Sequence, residues 1–447
     1  MGVNILEFQD YLNNKIDCCC GKKHKTMVKK IILSHGAIDD LANIFEANSL
    51  PDDIFIVSDS NTYKAAAKKV VEVLREAKYK VKELVFNAEK FSHPDEKAVG
   101  TMLFNMEPMP KIIVAVGSGS ITDLCRFCAS KTGIPYIVIA TAPSMDGYVS
   151  TVIPITKEAM KISIIGKSPE ILIADLDILE KSPKNLLASG FGDMVGKITA
   201  KLDWMLASKL TGEVICDKIE AITDIGVENC FKSIGIDEDS HKTSVKSIMY
   251  GLLLSGIAMQ LNNNSRPASG SEHHISHFLE MLDILGEGNE TYHGERVGVA
   301  SLIIMRFYEK LFLSDIQTEE DRVTEKEYTK YLYSVCPKTA DELLKNVGNI
   351  YIEDDEWENM KVNLTQNWDL FKKEVQKLDE LRKKTIEKLE DLEGFTNIKM
   401  LGYEKQKVRD AVFFARTVRT RFTILTLLDY MGLLGKFTDE VLEEIYK

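Results

Sequence analysis

Three of the eight histidines in this chain of 447 residues fall within five positions, in Ser271-Glu272-His273-His274-Ile275-Ser276-His277. His273 and His277 are four apart, so on a helix they project from one face. A further histidine stands in Tyr292-His293-Gly294-Glu295, and an acid stands in the glycine-rich run Gly190-Phe191-Gly192-Asp193-Met194-Val195-Gly196-Lys197. Taken alone, Asp193 and Lys197 are an ordinary helical pair worth about 0.2–0.5 kcal/mol. Taken with the histidines, one aspartate and two or three imidazoles on converging helices form the donor set of a catalytic zinc or ferrous-type centre with an open position. A peptidase helix of the HExxH kind is excluded. The residues between His273 and His277 are His-Ile-Ser, with no glutamate to act as base.

A second chemistry is phosphate binding. The apolar run Ile112–Val116 passes straight into Gly117-Ser118-Gly119-Ser120 and then a helical pattern. Glycines let the backbone approach a phosphate, and the helix N-terminus offers N–H groups and the positive end of its dipole. The full GxGxxG fingerprint is absent, since Thr122 and Asp123 follow. A second loop, Thr141-Ala142-Pro143-Ser144-Met145-Asp146-Gly147-Tyr148-Val149-Ser150, follows the next apolar run. Both loops fall at carboxyl ends of expected parallel strands, where open α/β sheets bind ligands. Asp59 closes another such run and is placed either to accept from a ribose or to cap a turn.

Elements must position these residues. Ile54–Val57, Ile112–Val116, Tyr136–Ala140 and Ile171–Ala174 are apolar throughout, as strands covered on both faces are. Helical patterns lie between them at Thr62–Ala77 and Ser120–Ser130, so the alternation predicts a parallel α/β sheet. After about residue 185 the pattern is helical almost throughout, with Leu186–Leu210, Val245–Leu261 and Val412–Leu434 apolar at helical spacing. The charged stretch Glu356–Leu392 reads as a solvated helical face. The expectation is an α/β nucleotide-binding domain over residues 1–185, an all-α domain over 186–447 that binds metal and substrate, and a ligand cleft between domains.

The formal net charge of −12 argues against nucleic acid or an anionic membrane as the main partner. The N-terminal segment carries acids and no apolar core of signal type. The longest apolar stretch, near Tyr250–Leu261, is shorter than the roughly 20 residues of a spanning helix. A cytoplasmic enzyme with no membrane insertion is expected, with a homodimer as the commonest assembly. Cys125 and Cys128 share the apolar stripe of a helix and read as core packing rather than a redox pair. Cys18-Cys19-Cys20-Gly21-Lys22-Lys23-His24 offers three thiols and an imidazole. Adjacent cysteines suit one tetrahedral ion poorly and no second CxxC completes the set, so a reactive, oxidation-prone segment is the expectation there.

The motifs GSGSITD, TAPSMDGYVS, ADLDIL, ASGFGDMVGKITA, SRPASGSEHHISH and YHGERVGVAS, in this order, resemble those of the bacterial sn-glycerol-1-phosphate dehydrogenases. That family lies in the superfamily of iron-containing alcohol dehydrogenases and dehydroquinate synthases. The resemblance spans nearly the whole chain and implies a dehydroquinate synthase-like fold. It implies reduction of dihydroxyacetone phosphate to sn-glycerol 1-phosphate, a glycerophospholipid precursor. The cofactors implied are NAD(H) or NADP(H) and one divalent metal: zinc, nickel or ferrous iron. By resemblance, Gly117, Ser118, Gly119, Ser120, Ile121, Thr141, Ala142, Pro143, Ser144 and Ser150 contact the dinucleotide, with Asp59 a further contact. Asp193, His273 and His293 become the metal ligands, which selects His273 from its helical pair. Asp146, Asp193 and His277 become substrate contacts, Asp193 and His277 catalytic ones. Lys197 is a candidate cation for the substrate phosphate, with Lys161 and Arg266 as further candidates. The longer spacing between His273 and His293 than in shorter archaeal relatives reads as an insertion around Gly286–Thr291. A glycerol dehydrogenase and a dehydroquinate synthase are the alternatives within the superfamily.

Overall fold

A computed structural model describes residues 8–12, 16–18, 20–91, 93–158, 160–235, 238–285, 291–314, 323–347 and 352–447. A 3₁₀ turn at Phe8–Asp10 precedes a short antiparallel hairpin, β1 (Ile16–Asp17) and β2 (Lys23–His24). Six strands then build one sheet: β3 (Lys30–Ser34), β4 (Asp53–Asp59), β5 (Lys80–Phe86), β6 (Ile112–Gly117), β7 (Tyr136–Ala140) and β10 (Ile171–Asp175). Their order is β3-β10-β7-β6-β4-β5, and every pairing is parallel. A hairpin, β8 (Val152–Lys157) with β9 (Met160–Ile165), interrupts the alternation between β7 and β10.

The four apolar runs of the sequence are the four inner strands. In β6, β7 and β10 every residue is buried. The edge strands β3 (KIILS) and β5 (KVKELVF) escape that reading because β3 has only three apolar residues, between Lys30 and Ser34, and β5 alternates with lysine and glutamate, as a half-exposed edge does. Helices α1 (Leu41–Ala47), α2 (Ser60–Thr62), α3 (Lys68–Glu76), α4 (Glu96–Asn105) and α5 (Gly119–Thr132) connect the strands, and α6 (Leu176–Leu179) follows β10. Phe45, Val70 and Leu74 pack on Ile54, Ile56, Val114 and Ile137 of the sheet.

Three long helices follow: α7 (Lys184–Thr211), α8 (Asp217–Ser233) and α9 (Glu238–Asn262). The chain groups into two compact units, one of Met1–Met194 with Lys218–Ser265, the other of Val195–Asp217 with Arg266–Lys447. Helix α7 runs unbroken through the division. Among the described residues one helical stretch, Asp239–Asn262, is long and apolar enough to cross a membrane. It is twice the length of the Tyr250–Leu261 stretch, and 89% of its most apolar part is buried inside the protein, as in a core helix.

The second unit is helical: α10 (Ser271–Ile284), α11 (His293–Leu313), α12 (Glu325–Val335), α13 (Ala340–Val347), α14 (Asp354–Val375), α15 (Leu378–Asp391), α16 (Lys405–Phe414), α17 (Ile424–Tyr430) and α18 (Leu434–Tyr446). Two expectations are corrected here. Glu356–Leu392 is two helices with a break at 376–377, and it is solvated only on its outer side. Phe371, Val375, Leu378 and Leu389 are buried, with the Trp368 and Phe371 rings 4.8 and 5.1 Å from Phe312 of α11. Val412–Leu434 is not one helix either. A 3₁₀ turn at Ala415–Val418 ends α16, and residues 419–423 (Arg-Thr-Arg-Phe-Thr) are non-helical before α17 begins. The insertion expected around Gly286–Thr291 lies, but for Thr291, outside the described residues.

Candidate metal and cofactor site

The histidine helix is anchored at its first turn by a buried acid. Both the backbone N–H and the hydroxyl of Ser271 donate to Asp203 Oδ2 at 2.6 Å, while Tyr308 Oη and Ile424 N donate to its Oδ1 at 2.8 Å. Burial, with the neighbouring charge of Glu272, pushes the Asp203 carboxyl up to about 6 against those bonds. Helix α10 therefore starts at a fixed point, and its next residues face inward.

Glu272 is fully buried. Its Oε1 lies 2.7 Å from His273 Nδ1, Gly270 N donates to Oε1 at 2.6 Å, and Thr199 Oγ1 donates to Oε2 at 2.7 Å. Burial alone would raise this carboxyl. The hydrogen bond and charge of His273, with the Gly270 and Thr199 donors, hold it below its ordinary value. A carboxylate only accepts, so His273 Nδ1 carries the proton and Nε2 is left as a donor atom for an ion.

Helix α7 presses against this ring. A Cβ added at Gly196 would come within 3.4 Å of His273 Cε1 and 2.7 Å of Val297 Cγ1, so the approach needs a glycine. Asp193 is three residues earlier on the same continuous helix, one turn away on the same side. A carboxylate oxygen of Asp193 and ring nitrogens of His273 and His293 lie within 4.8 Å of one another. The His273 and His293 rings are 5.2 Å apart, and His277 is 5.5 Å from His293 and 6.1 Å from His273. His277 also faces Glu280, with Nδ1 3.4 Å from its Oε2. One carboxylate and two imidazoles, one with its tautomer fixed by a buried acid, fit a borderline divalent ion.

The second loop meets the start of α7. Asp146 N donates to Asp193 Oδ2 at 2.9 Å and turns that carboxylate, while Ser255 Oγ donates to Asp146 Oδ2 at 2.7 Å. A Cβ at Gly190 would fall 1.9 Å from the Pro143 carbonyl oxygen, so only glycine allows helix and loop this close. Arg126, fully buried on α5, braces the loop by donating to the carbonyls of Gly147, Tyr148 (3.3 Å) and Val152 (2.9 Å) and to Asp123 (2.8 Å). Sequence reasoning followed the apolar stripe through Cys125 and Cys128 and passed over it.

The two loops also meet each other, with the Ser118 and Ser144 hydroxyls 2.6 Å apart. Ser118, just past β6, is the N-cap residue of α5, Gly119 and Ser120 open that helix, and Ile121 is buried. Thr141, Ala142, Pro143, Ser144 and Ser150 are buried in the second loop. Asp59 is a helix cap: its Oδ1 accepts from Asn61 N (2.8 Å) and Thr62 N (2.9 Å), and its own N–H donates to Thr62 Oγ1. Cys125 and Cys128 are buried core thiols, as expected, and burial raises both well above the ordinary thiol range.

The candidate cations fare differently. Lys197 is buried and donates to the Ala268 carbonyl at 3.1 Å. Arg266 is buried and engaged with Glu213 (3.0 Å), the Asp203 carbonyl (3.2 Å) and the Phe422 carbonyl (2.8 Å). Lys161 is half-buried on β9. The break before α17 supplies two cations that the sequence reading passed over, the half-buried Arg419 and Arg421. Desolvation, then the charges of Arg419 and Arg266, pull Arg421 down to about 9, and desolvation lowers Arg419. Buried His274 lies in their field: burial, then Arg421, Arg419, His277 and Arg266, hold it well below the usual imidazole value. Arg266, Arg419 and Arg421 thus crowd one corner of the second unit, with Glu213 and Glu272 the acids facing them.

Comparison with known proteins gives the same picture. Residues 32–183 match the family model of iron-containing alcohol dehydrogenases. Glycerol-1-phosphate dehydrogenase of Bacillus subtilis is 32% identical over 332 residues, 73% of this chain and 84% of that one. Its counterpart in Halalkalibacterium halodurans is 30% identical over 345 residues, 74% and 86% of the two chains. In Bacillus licheniformis the enzyme is 27% identical over 95% of both chains. The fold is shared with a probable glycerol dehydrogenase of Sinorhizobium meliloti (TM-score 0.57, 15% identity, 92% of this chain and 98% of that one) and with a maleylacetate reductase of a Rhizobium species (0.58, 14%, 95% and 98%). With an inner parallel sheet, paired loops at its strand ends and a histidine helix beside Asp193, and with identity of 30% and above over most of its relatives' length, the chain belongs to the glycerol-1-phosphate dehydrogenase family.

Proposed function

We propose that this chain reduces dihydroxyacetone phosphate to sn-glycerol 1-phosphate with NADH or NADPH, using one divalent ion held by Asp193, His273 and His293. The observation that carries it is the convergence of those three donors, with Glu272 fixing the His273 tautomer. When bound, zinc, nickel or ferrous iron supplies a Lewis acid for the ketone oxygen. The chain does the rest. The GSGS turn and the Thr141–Ser150 loop hold the dinucleotide phosphates at the strand ends. That sets nicotinamide C4 against C2 of the ketone, where the hydride is delivered. His277 donates a hydrogen bond toward the oxygen as negative charge develops on it. Asp146, tied to Asp193 through its backbone, orients the substrate hydroxyl.

Arg419 and Arg421 are the proposed phosphate contacts, with Lys197 a further candidate. Their lowered basicity reflects crowded, desolvated positive charge that a phosphate dianion relieves. A phosphorylated ketone is favoured over the glycerol dehydrogenase reading by the relatives, which at 30–32% identity are glycerol-1-phosphate dehydrogenases, whereas the glycerol dehydrogenase likeness is one of fold at 15% identity. The test is NAD(P)H oxidation with dihydroxyacetone phosphate against dihydroxyacetone, with and without divalent metal. Equal turnover of both ketones would move the chain to the glycerol dehydrogenase reading. A cytoplasmic location and a homodimeric assembly belong to the same proposal.

A further inference from the structure

A second donor cluster shares no residue with the Asp193–His273–His293 centre. Sγ of Cys18, Cys20 and Cys216 and a ring nitrogen of His24 all lie within 4.8 Å of one another. The β1–β2 hairpin brings Cys18, Cys20 and His24 together. Ile16 pairs with His24, and Gly21 N–H donates to the Cys18 carbonyl at 3.1 Å. Gly21 sits at φ +79°, in the left-handed region, so the turn can fold the chain back. The fourth, Cys216, immediately precedes helix α8 and is 198 positions from Cys18.

We propose that Cys18, Cys20, His24 and Cys216 bind a structural zinc ion. The orientation of His24 points this way. Its Nδ1 lies 2.8 Å from the Leu261 carbonyl oxygen, which only accepts, so Nδ1 carries the proton and Nε2 presents its lone pair. That Nε2 lies 3.2 Å from Cys20 Sγ. A tetrahedral ion with Zn–S near 2.3 Å separates its ligand atoms by about 3.8 Å or less, so the cluster closes on an ion with small side-chain shifts. Three soft sulfurs and one imidazole select zinc over magnesium, calcium or manganese. His24 and Cys216 are buried, Cys18 and Cys20 half-buried, and none of the described cysteines forms a disulfide. Four protein ligands leave no open position, so the ion holds structure and takes no part in turnover. The expectation of a merely reactive segment rested on the poor geometry of adjacent cysteines and the lack of a second CxxC pair. Only Cys18 and Cys20 of the triple run are needed, and Cys216 completes the set.

The test is cobalt substitution of the full-length protein, purified under reducing conditions. The Asp193–His273–His293 centre has no sulfur, so thiolate-to-cobalt charge-transfer absorption reports the cysteine site alone. Wild type is expected to bind two ions per chain and show that absorption. Cys216→Ser should lose the absorption and one ion, melt several degrees lower, and keep its turnover with dihydroxyacetone phosphate within about twofold. His273→Ala should keep the absorption. Absence of thiolate absorption in wild type, or its persistence in Cys216→Ser, overturns the proposal. Should Cys216→Ser fail to fold, X-ray absorption of zinc-loaded wild type decides: sulfur neighbours at about 2.3 Å support the site, and a shell of nitrogen and oxygen alone overturns it.

Discussion

Glu272 and His273, adjacent in the chain, are joined through their side chains, Oε1 to Nδ1, at 2.7 Å in a fully buried setting. The bond spans consecutive residues at the head of α10, and Gly270 and Thr199 fix the carboxylate from its other sides. An imidazole so held has one tautomer and one orientation. Glu272→Gln is therefore expected to fold but to bind metal about 10–100-fold more weakly, as loss of an orienting carboxylate does elsewhere. Competition against a chelator of known affinity measures this. Equal affinity would mean that the pair serves packing alone.

His277 is placed beside the ligand rings without being needed in the three-donor set. His277→Ala should keep its metal and lose about 2–4 kcal/mol of transition-state stabilisation, the scale of a lost oxyanion donor. Metal content and kcat measured on the same preparation check this. A variant that loses metal would move His277 into the ligand set, with His293 and Glu280 as its partners.

Arg421 separates the two ketones. Arg421→Gln should raise KM for dihydroxyacetone phosphate about 10–100-fold, the worth of one charge-assisted hydrogen bond. Turnover of dihydroxyacetone should change little. A parallel loss with both substrates would assign the arginine to folding.

Asp203 links stability to pH. Its carboxyl rises from an ordinary 3.8 to about 6 in the fold, so between those values the folded chain binds more protons than the unfolded one. Its contribution to stability is fully present below the lower value and is lost as pH rises through the upper one. Urea midpoints of wild type and Asp203→Asn at about pH 4.5 and about pH 7 test this. Wild type should lose more stability than the variant over that interval. A gap that is constant, or that widens in favour of wild type, contradicts it.

The legible parts of the sequence were those where one physical constraint dominates. β4, β6, β7 and β10 are covered on both faces and carry no charge between their ends, so they stand out; β3 and β5 are edges and do not. His273, His277 and His293 were visible because histidine is scarce here and clusters. Glu272 and Asp203 were not, because Glu272 in the first turn of α10 looks like any acid that favours the helix dipole, and Asp203 inside α7 looks like any helical acid. The break at 419–423 was hidden by the apolar residues that resume in α17, and with it the two arginines. Cys216 stands too far from Cys18 for spacing alone to join them. Asp59 left two readings open, and the cap it makes with Asn61 and Thr62 is the one observed.

The central claim is that one divalent ion at Asp193, His273 and His293 is required for reduction of dihydroxyacetone phosphate. It is tested most directly by following NAD(P)H oxidation with this ketone in protein stripped by a chelator, before and after zinc or nickel is restored, with metal content determined alongside. The stripped protein should be inactive, the restored one active, and His273→Ala inactive under both conditions. A fully active, metal-free preparation would contradict the account.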